Sequence, residues 1–311
     1  MVKLECSLGN MNKNVLVSVF IITYNHEKYI AQAIDSVLMQ KASFNYEIVI
    51  GEDCSTDRTR EIILEYKAKY PDKFKLLLHN VNIGAMQNQI LTLKACTGKY
   101  IALLEGDDYW TDPYKLQRQV DFLEANPEYV LTFHKISILY PDGKLVESHC
   151  YEKNTFTIDD LIKANFVPTC SVVFRNVDLE IPEFYRNFKI GDYPLYFQLI
   201  KHGKFYYLDF NMSTYRVHDG GVFSLKDDLH KYNSVLEVYG FYREHMPDYK
   251  RKFDKSIIKM HYAMALNLKK NGKNKDAYAA IKKMYSFFPG IIYSEYYLKA
   301  FIKIILGLKI K

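Results

Sequence analysis

The chain has 311 residues, 49% of them hydrophobic and 25% charged, with a formal net charge of +6. This balance excludes a disordered chain and fits one large soluble domain or two smaller ones. No run of about 18 apolar residues suits a spanning helix, and the five scattered cysteines form no CxxC pair, which argues for free thiols in a reducing cytoplasm over a disulfide framework or zinc site. The opening MVKLECSLGNMNKN has no apolar core, so no secretory leader is expected and residues 1–14 read as a tail. Charge is uneven: residues 231–311 carry +11 and residues 1–230 carry −5, so the composition breaks near 230.

Val15–Thr23 (VLVSVFIIT), rich in β-branched residues, predicts a strand. Over Glu27–Met39, Ile30, Ile34, Val37 and Leu38 recur at helical spacing. Tyr46–Gly51 is a second strand, and Ser55-Thr56-Asp57 can cap the helix that follows. Phe74–His79 reads as a third strand, Gly84–Ala95 as a helix and Tyr100–Leu104 as a fourth strand. Pro113 opens another helix through Leu123, and Tyr129–Leu139 is a fifth strand. Strand and helix alternating with short connections predict a mostly parallel sheet with helices on both faces. Asp142-Gly143 reads as a hairpin turn between Ile136–Tyr140 and Lys144–Ser148. Asp192–Lys201 reads as helix, and Phe205–Leu208 and Met212–Val217 as strands. From 227 the pattern is helical, broken at Asn271-Gly272 and Pro289-Gly290.

In such sheets ligands bind beyond the carboxyl ends of the strands. The polar clusters fall there: Thr23-Tyr24-Asn25 after the first strand, Glu52-Asp53 after the second and Asp107-Asp108 after the fourth. In EGDDYW, three carboxylates in four residues end an apolar strand. They repel if close and lose hydration if buried. Mg²⁺ or Mn²⁺, which prefer oxygen ligands, would resolve that conflict. The plain alternative for Asp107-Asp108 is a solvated turn before the Pro113 helix. Glu105 can join the cluster or face away, because strand side chains alternate. Asp53 can accept a base N–H or a ribose hydroxyl, or can be an ordinary loop acid, as Asp57 can be an ordinary cap.

VSVFIITYNHEKYIAQAIDSVLMQ, YEIVIGEDCSTDRT and GKYIALLEGDDYWTDPYKLQRQ, in that order, resemble the nucleotide-binding half of a family 2 glycosyltransferase with the GT-A fold. The likeness covers residues 15–140 well and extends more weakly to about 225. It implies a GT-A domain over 15–226, with a nucleotide-binding part over 15–140 and an acceptor-binding part over 141–226, followed by a basic helical region over 227–311. It also implies that Thr23, Tyr24, Asn25 and Glu27 line the nucleotide pocket and that Asp53 recognises the base, typically uracil. Asp107 and Asp108 match the family's acidic metal motif. Asp108 would bind the cation directly, and Asp107 would support the ribose or the metal.

The family is normally inverting and needs a general base. IGDYPLYFQLI matches the place where that base heads a helix, which nominates Asp192; an ordinary N-cap is the alternative. YRVHDGGVFS resembles a late motif whose histidine approaches the metal or diphosphate, which nominates His218 as a further ligand. Two departures stand out. Cys54 replaces a glycine common in the family, which puts the loop path in question, and Gln87 stands where an arginine is common.

The implied activity is transfer of a sugar from a nucleotide-sugar, UDP-linked first, to a hydroxyl of a glycan or lipid-linked acceptor, with Mn²⁺ or Mg²⁺ as cofactor. A sugar nucleotidyltransferase would usually carry a Gly-rich phosphate loop after the first strand, where this chain has ITYNHEKY. A non-catalytic glycan- or protein-binding module on a decayed transferase scaffold stays open, although Asp53, Asp107, Asp108 and Asp192 are all retained. The C-terminal SEYYLKAFIKIILGLKIK mixes apolar residues with lysines. It suits either an anionic surface on the inner membrane face or packing against the catalytic domain. Zinc spacings, RNP-like motifs and Arg-rich helices are missing from the sequence, which argues against nucleic acid.

Overall fold

The computed structural model describes residues 15–181, 183–221 and 227–287. The residue 1–14 tail, the Pro289-Gly290 break and the basic segment from Ser294 lie outside the described residues. In chain order the first elements are β1 (Val15–Thr23), α1 (Ile30–Leu38), β2 (Asn45–Glu52), α2 (Thr59–Lys69) and β3 (Phe74–Leu78). Then come α3 (Ala85–Ala95), β4 (Tyr100–Glu105), β5 (Tyr109–Trp110), α4 (Lys115–Ala125), β6 (Tyr129–Leu139) and β7 (Leu145–Glu147). β8 (Thr155–Phe156), α5 (Ile158–Leu161), β9 (Val173–Arg175), α6 (Asp192–Leu199) and β10 (Lys204–Arg216) precede the helices α7 (Asp228–His245), α8 (Lys250–Lys270) and α9 (Asn274–Phe287).

Two compact units divide these elements. The first contains the described residues up to Thr157, with Phe166–Arg186 and Gln198–Val217. The second contains Ile158–Asn165, Asn187–Phe197 and the described residues from His218 onward. Among the described residues no helix is long and apolar enough to cross a membrane.

The first unit is built on a ten-stranded mixed sheet flanked by helices, in the order β3-β2-β1-β4-β9-β6-β10-β5, with β7 on β6 and β8 on β10. β3, β2, β1 and β4 are mutually parallel, as the alternating pattern requires. β1 lies at the centre of this half, which is why VLVSVFIIT is apolar at nearly every position instead of at alternate ones. α1 covers the core with Ile30, Ala33, Ile34 and Val37, all fully buried and at helical spacing. Each of its larger apolar side chains contributes about 1.5–3 kcal/mol by burial.

The second half of the sheet departs from a parallel reading. β9 runs antiparallel between β4 and β6, and β5 pairs antiparallel with β10 through Ser213–Trp110 and Thr214–Tyr109. The two strands expected over 205–217 are one strand. Its register against β6 shifts between Leu208 and Asn211 and again between Asn211 and Ser213. The exposed Asp209 and Phe210 mark this bulge, and a bulge interrupts the alternation from which a continuous strand is read. The Asp142-Gly143 hairpin forms as expected, with Ile138 opposite Val146, and Gly143 takes the positive φ (+82°) the turn needs.

In the second unit, α6 opens with Asp192. Tyr193, Phe197, Tyr239, Tyr242 and Phe253 form its aromatic core, with Phe197 stacked on Tyr242 at 4.6 Å between ring centroids. α8 and α9 pack through Met264, Ala265, Leu268, Ala277, Ala280 and Ile281.

The segment after β4 is anchored from below. The Trp110 backbone N–H donates to Ser36 Oγ at 3.0 Å, and its indole N–H donates to the Cys170 carbonyl at 3.0 Å. The Lys115 ammonium lies 4.2 Å from the centroid of the Trp110 ring, fully buried and with no hydrogen-bond partner among the described residues. Burial pulls its pKa from 10.5 down to about 7. Between those values the unfolded chain holds this proton and the folded chain does not, so stability rises with pH across the window, by about 1.4 kcal/mol per pH unit from this group. Lys115→Met is expected to remove that rise. Urea unfolding of the two proteins at intervals from pH 7 to pH 10 checks it.

Candidate active site

Register brings the sequence's polar clusters together. Thr23 at the end of β1 lies opposite Glu52 of β2, and Ile22 lies opposite Glu105 of β4. The Asp53 N–H donates to the Thr23 carbonyl at 3.1 Å, and the Gly106 N–H donates to the Ile22 carbonyl at 3.0 Å. The loops after β1, β2 and β4 therefore leave one edge of the sheet side by side. A Cβ at Gly106 would fall 2.6 Å from Thr23 Oγ1 and 2.9 Å from His26 Nδ1, so only glycine permits this approach.

The first two loops are stitched to each other. Asn25, at φ +55°, accepts at Oδ1 from the Thr56 N–H (2.8 Å), and its own N–H donates to Ser55 Oγ (3.0 Å). The Glu27 N–H donates to Asp57 Oδ2 at 3.0 Å, and Glu27 Oε2 accepts from the Arg58 N–H at 3.0 Å. These bonds hold Asn25 and Glu27 in the loop, and α1 begins at Ile30 and not at Glu27. Asp57 accepts from the Thr59 N–H, the first of α2, at 2.9 Å, but it lies one residue ahead of the N-cap, which is Arg58 and makes no side-chain capping bond. Cys54 adopts φ +58°, the left-handed backbone that glycine takes freely. The thiol-bearing residue thus follows a glycine-type path, at some conformational cost.

Asp53 is 2% exposed, and its carboxylate accepts from the Ile83 N–H (2.7 Å) and the Gly84 N–H (2.9 Å). It shapes the loop that leads into α3. Glu52, fully buried, pairs with Arg60 and accepts from the Ser55 N–H at 2.6 Å. Thr23 is buried and Tyr24 exposed.

Glu105, Asp107 and Asp108 each offer a carboxylate oxygen to a cluster whose atoms all lie within 4.8 Å of one another. Charges that close repel by roughly 3 kcal/mol or more per pair at an effective dielectric constant of about 20. Asp108 is 1% exposed. Its Oδ1 accepts from the Arg216 N–H at 2.8 Å, while its buried Oδ2 takes no hydrogen bond among the described residues. Burial first, then Asp107 and Glu105, push this carboxyl well above the usual carboxylate range. An orphaned buried oxygen within an all-carboxylate set fits a hard divalent cation such as Mg²⁺ or Mn²⁺.

Asp107 is half-buried, with His26 Nε2 3.7 Å from its Oδ2. The Arg216 guanidinium donates to the Asp107 carbonyl at 2.9 Å. Sequence reasoning passed over His26 and Arg216, although both sit inside motifs it quoted; only the fold brings them to the acidic turn. Asp192 and His218 belong to the second unit. Asp192 Oδ2 accepts from Asn165 Nδ2 at 2.9 Å and Oδ1 from the Tyr193 N–H at 2.7 Å, so it heads α6 with both oxygens engaged. His218 is half-buried, and its carbonyl accepts from the Gly221 N–H at 3.0 Å.

Residues 18–181 match the model of Glycosyl transferase family 2, just over half of the chain. The chain belongs to this family. Family 2 membership agrees with the relatives. An uncharacterised protein of Mycobacterium tuberculosis is 38% identical over 210 residues, covering 66% of this chain and 60% of that protein. A Bacillus subtilis protein, TuaG, named as a teichuronic acid biosynthesis glycosyltransferase, is 30% identical over 52% of this chain and 63% of its own length. The chain thus spans about three fifths of the length of these curated relatives.

Solved structures with the same fold include TarS of S. aureus in complex with UDP-GlcNAc, with TM-score 0.58 and 18% identity over 80% of this chain and 81% of that one. Another is the mannosyltransferase PcManGT of Pyrobaculum calidifontis in complex with GDP-Man and Mn²⁺, with TM-score 0.60 and 14% identity over 94% and 88%. The family 2 fold is therefore GT-A-like, with a helical C-terminal region.

Replacing the buried Asp108 carboxyl by an amide should stabilise the metal-free protein. Below pH 3.8 the carboxyl is protonated both folded and unfolded and nothing is gained. As pH rises, the unfolded chain ionises first, so the native aspartate increasingly penalises folding. Asp108→Asn in EDTA is expected to gain about 0.5–2 kcal/mol at neutral pH, the gain shrinking toward pH 4. Denaturant unfolding across that range measures it.

Proposed function

We propose that the protein is an inverting glycosyltransferase that moves a sugar from a nucleotide-sugar, first among them a UDP-sugar, to a hydroxyl of a glycan or lipid-linked acceptor. The observation that carries this reading is the convergence of Glu105, Asp107 and Asp108 at the carboxyl edge of the sheet, with the buried Asp108 Oδ2 left without a hydrogen bond. The relative named for teichuronic acid biosynthesis favours a surface-polysaccharide acceptor, and the neighbours solved with UDP-GlcNAc and GDP-Man favour a nucleotide-sugar donor.

In this reading Asp108 would bind the cation directly, with His218 as a further ligand, while Asp107 would support the ribose or the metal and Glu105 lies beside them. A bound Mn²⁺ or Mg²⁺ would neutralise the charge that builds on the departing nucleotide diphosphate. Thr23, Tyr24, Asn25 and Glu27 line the nucleotide side, and their bonds to the loop after β2 fix the pocket wall before donor arrives. Asp53, already bonded to the Ile83 and Gly84 N–H groups, keeps its remaining lone pairs for a base N–H.

Asp192 serves as general base. It takes the proton of the acceptor hydroxyl as that oxygen attacks the anomeric carbon opposite the leaving diphosphate, and the configuration inverts. The Asn165 amide, donating to Asp192 Oδ2 at 2.9 Å, orients the carboxylate at the head of α6. The enzyme would work in the cytoplasm, with the basic C-terminal region available to the inner membrane face.

Hydrolysis of a panel of UDP- and GDP-sugars with Mn²⁺ tests the donor reading, because many transferases leak donor to water. No release of nucleotide diphosphate from any donor, with or without acceptor glycans, would end it. Asp192→Asn is expected to retain donor binding while turnover falls about 10²–10⁴-fold; normal turnover would remove Asp192 from the role. Asp108→Ala is expected to abolish metal-dependent donor binding, read by calorimetry with and without Mn²⁺.

A further inference from the structure

Arg216 holds the acidic turn from the end of β10. Arg216 ends β10, and its backbone N–H donates to Asp108 Oδ1 at 2.8 Å while its Nε donates to the Asp107 carbonyl at 2.9 Å. The far end of the guanidinium donates from an Nη to Gln32 Oε1 on α1 at 2.7 Å. Its plane is flanked by two rings, with the guanidinium carbon 4.6 Å from the centroid of Tyr29 and 5.2 Å from that of Tyr109. The same strand end is tied to the turn by the Thr214–Tyr109 pairing.

We infer that Arg216 is a positioning residue that sets the geometry of Asp107 and Asp108 for the divalent cation. This rests on the metal-dependent reading above. The reasoning is geometric. The turn carries three carboxylates that repel, and this repulsion favours Asp107 swinging outward. Arg216 opposes that in two ways. It fixes the peptide between the two acids by a charged donor on a carbonyl, and it is itself immobilised by an amide on α1 and two aromatic faces. A guanidinium supplies the directional N–H fork this requires; an ammonium supplies charge without it.

Charge and positioning predict opposite outcomes, which makes the inference testable. If Arg216 acted only as a nearby cation, its removal would tighten Mn²⁺ binding and lysine would substitute for it. If it positions the acids, both Arg216→Gln and Arg216→Lys weaken binding, each by about tenfold, as expected for a lost hydrogen bond from a charged group. Gln32→Ala, which spares the bond to the Asp107 carbonyl, should weaken binding less.

The readout is the loss of the free-Mn²⁺ electron paramagnetic resonance signal on titration with protein in the presence of UDP or GDP, which requires no turnover. Emission of Trp110, the single tryptophan, reports whether the root of the turn stays folded. Wild-type-like emission with tenfold weaker Mn²⁺ uptake in both arginine variants supports the inference. Unchanged or tighter uptake in Arg216→Gln, or full rescue by lysine, overturns it. Should both arginine variants lose native Trp110 emission, equal uptake by Gln32→Ala and wild type overturns it and weaker uptake supports it. A wild type that takes up no Mn²⁺ with either nucleotide overturns the metal-dependent reading, and the inference with it.

Discussion

The register of three parallel strands governs the rest of this molecule. With Thr23 opposite Glu52 and Ile22 opposite Glu105, the segments after β1, β2 and β4, which carry Thr23 to Glu27, Asp53 and the acidic turn, leave the sheet at one edge. A slip of one residue would invert the faces of β1 and separate these ends. The apolar core beneath, from Val17, Val19 and Ile21 to Leu104, therefore does more than stabilise. It fixes where the carboxylates emerge, and it makes their crowding unavoidable.

That crowding is an instance of stability conceded at the candidate site. Asp108 keeps one oxygen bonded to a backbone N–H and leaves the other buried and unbonded. Burial of a carboxyl in this state is unfavourable on its own, and the neighbouring acids add to the cost. The surrounding structure withstands it because the turn is bound on several sides. Trp110 is tied to Ser36 and Cys170, Gly106 fits under Thr23 and His26, and Arg216 closes the outer side. In the metal-binding role proposed for this turn, an incoming ion would supply the charge, while the protein has already supplied order.

The alternating half of the fold was legible because its signals are local. VLVSVFIIT, YEIVIG and YIALL are short buried strands, and the spacing of Ile30, Ile34 and Val37 defines a helix face. The remainder of the sheet was not legible for equally physical reasons. β5 has two residues and β9 three, too few for a period to register. β10 carries a bulge that breaks its alternation at Asp209–Asn211. The acids of the turn stood out in sequence because like charges after an apolar strand are anomalous. His26 and Arg216 did not, since a histidine in a polar loop and an arginine near a strand end are commonplace. Their importance lies in contacts across long sequence separations, 81 residues between His26 and Asp107 and 109 between Arg216 and Asp107.

The stitching between the loops after β1 and β2 bears on how such a pocket can diversify. Asn25 and Glu27 are committed to Ser55, Thr56, Asp57 and Arg58 through reciprocal bonds, so neither loop has an independent shape. Transplanting one of them from a relative would strand half of each bond, and a recombinant would have to inherit the two together as a single cassette. If these loops line the nucleotide side as proposed, donor preference would drift in paired steps, with the fast-changing positions confined to side chains such as the exposed Tyr24.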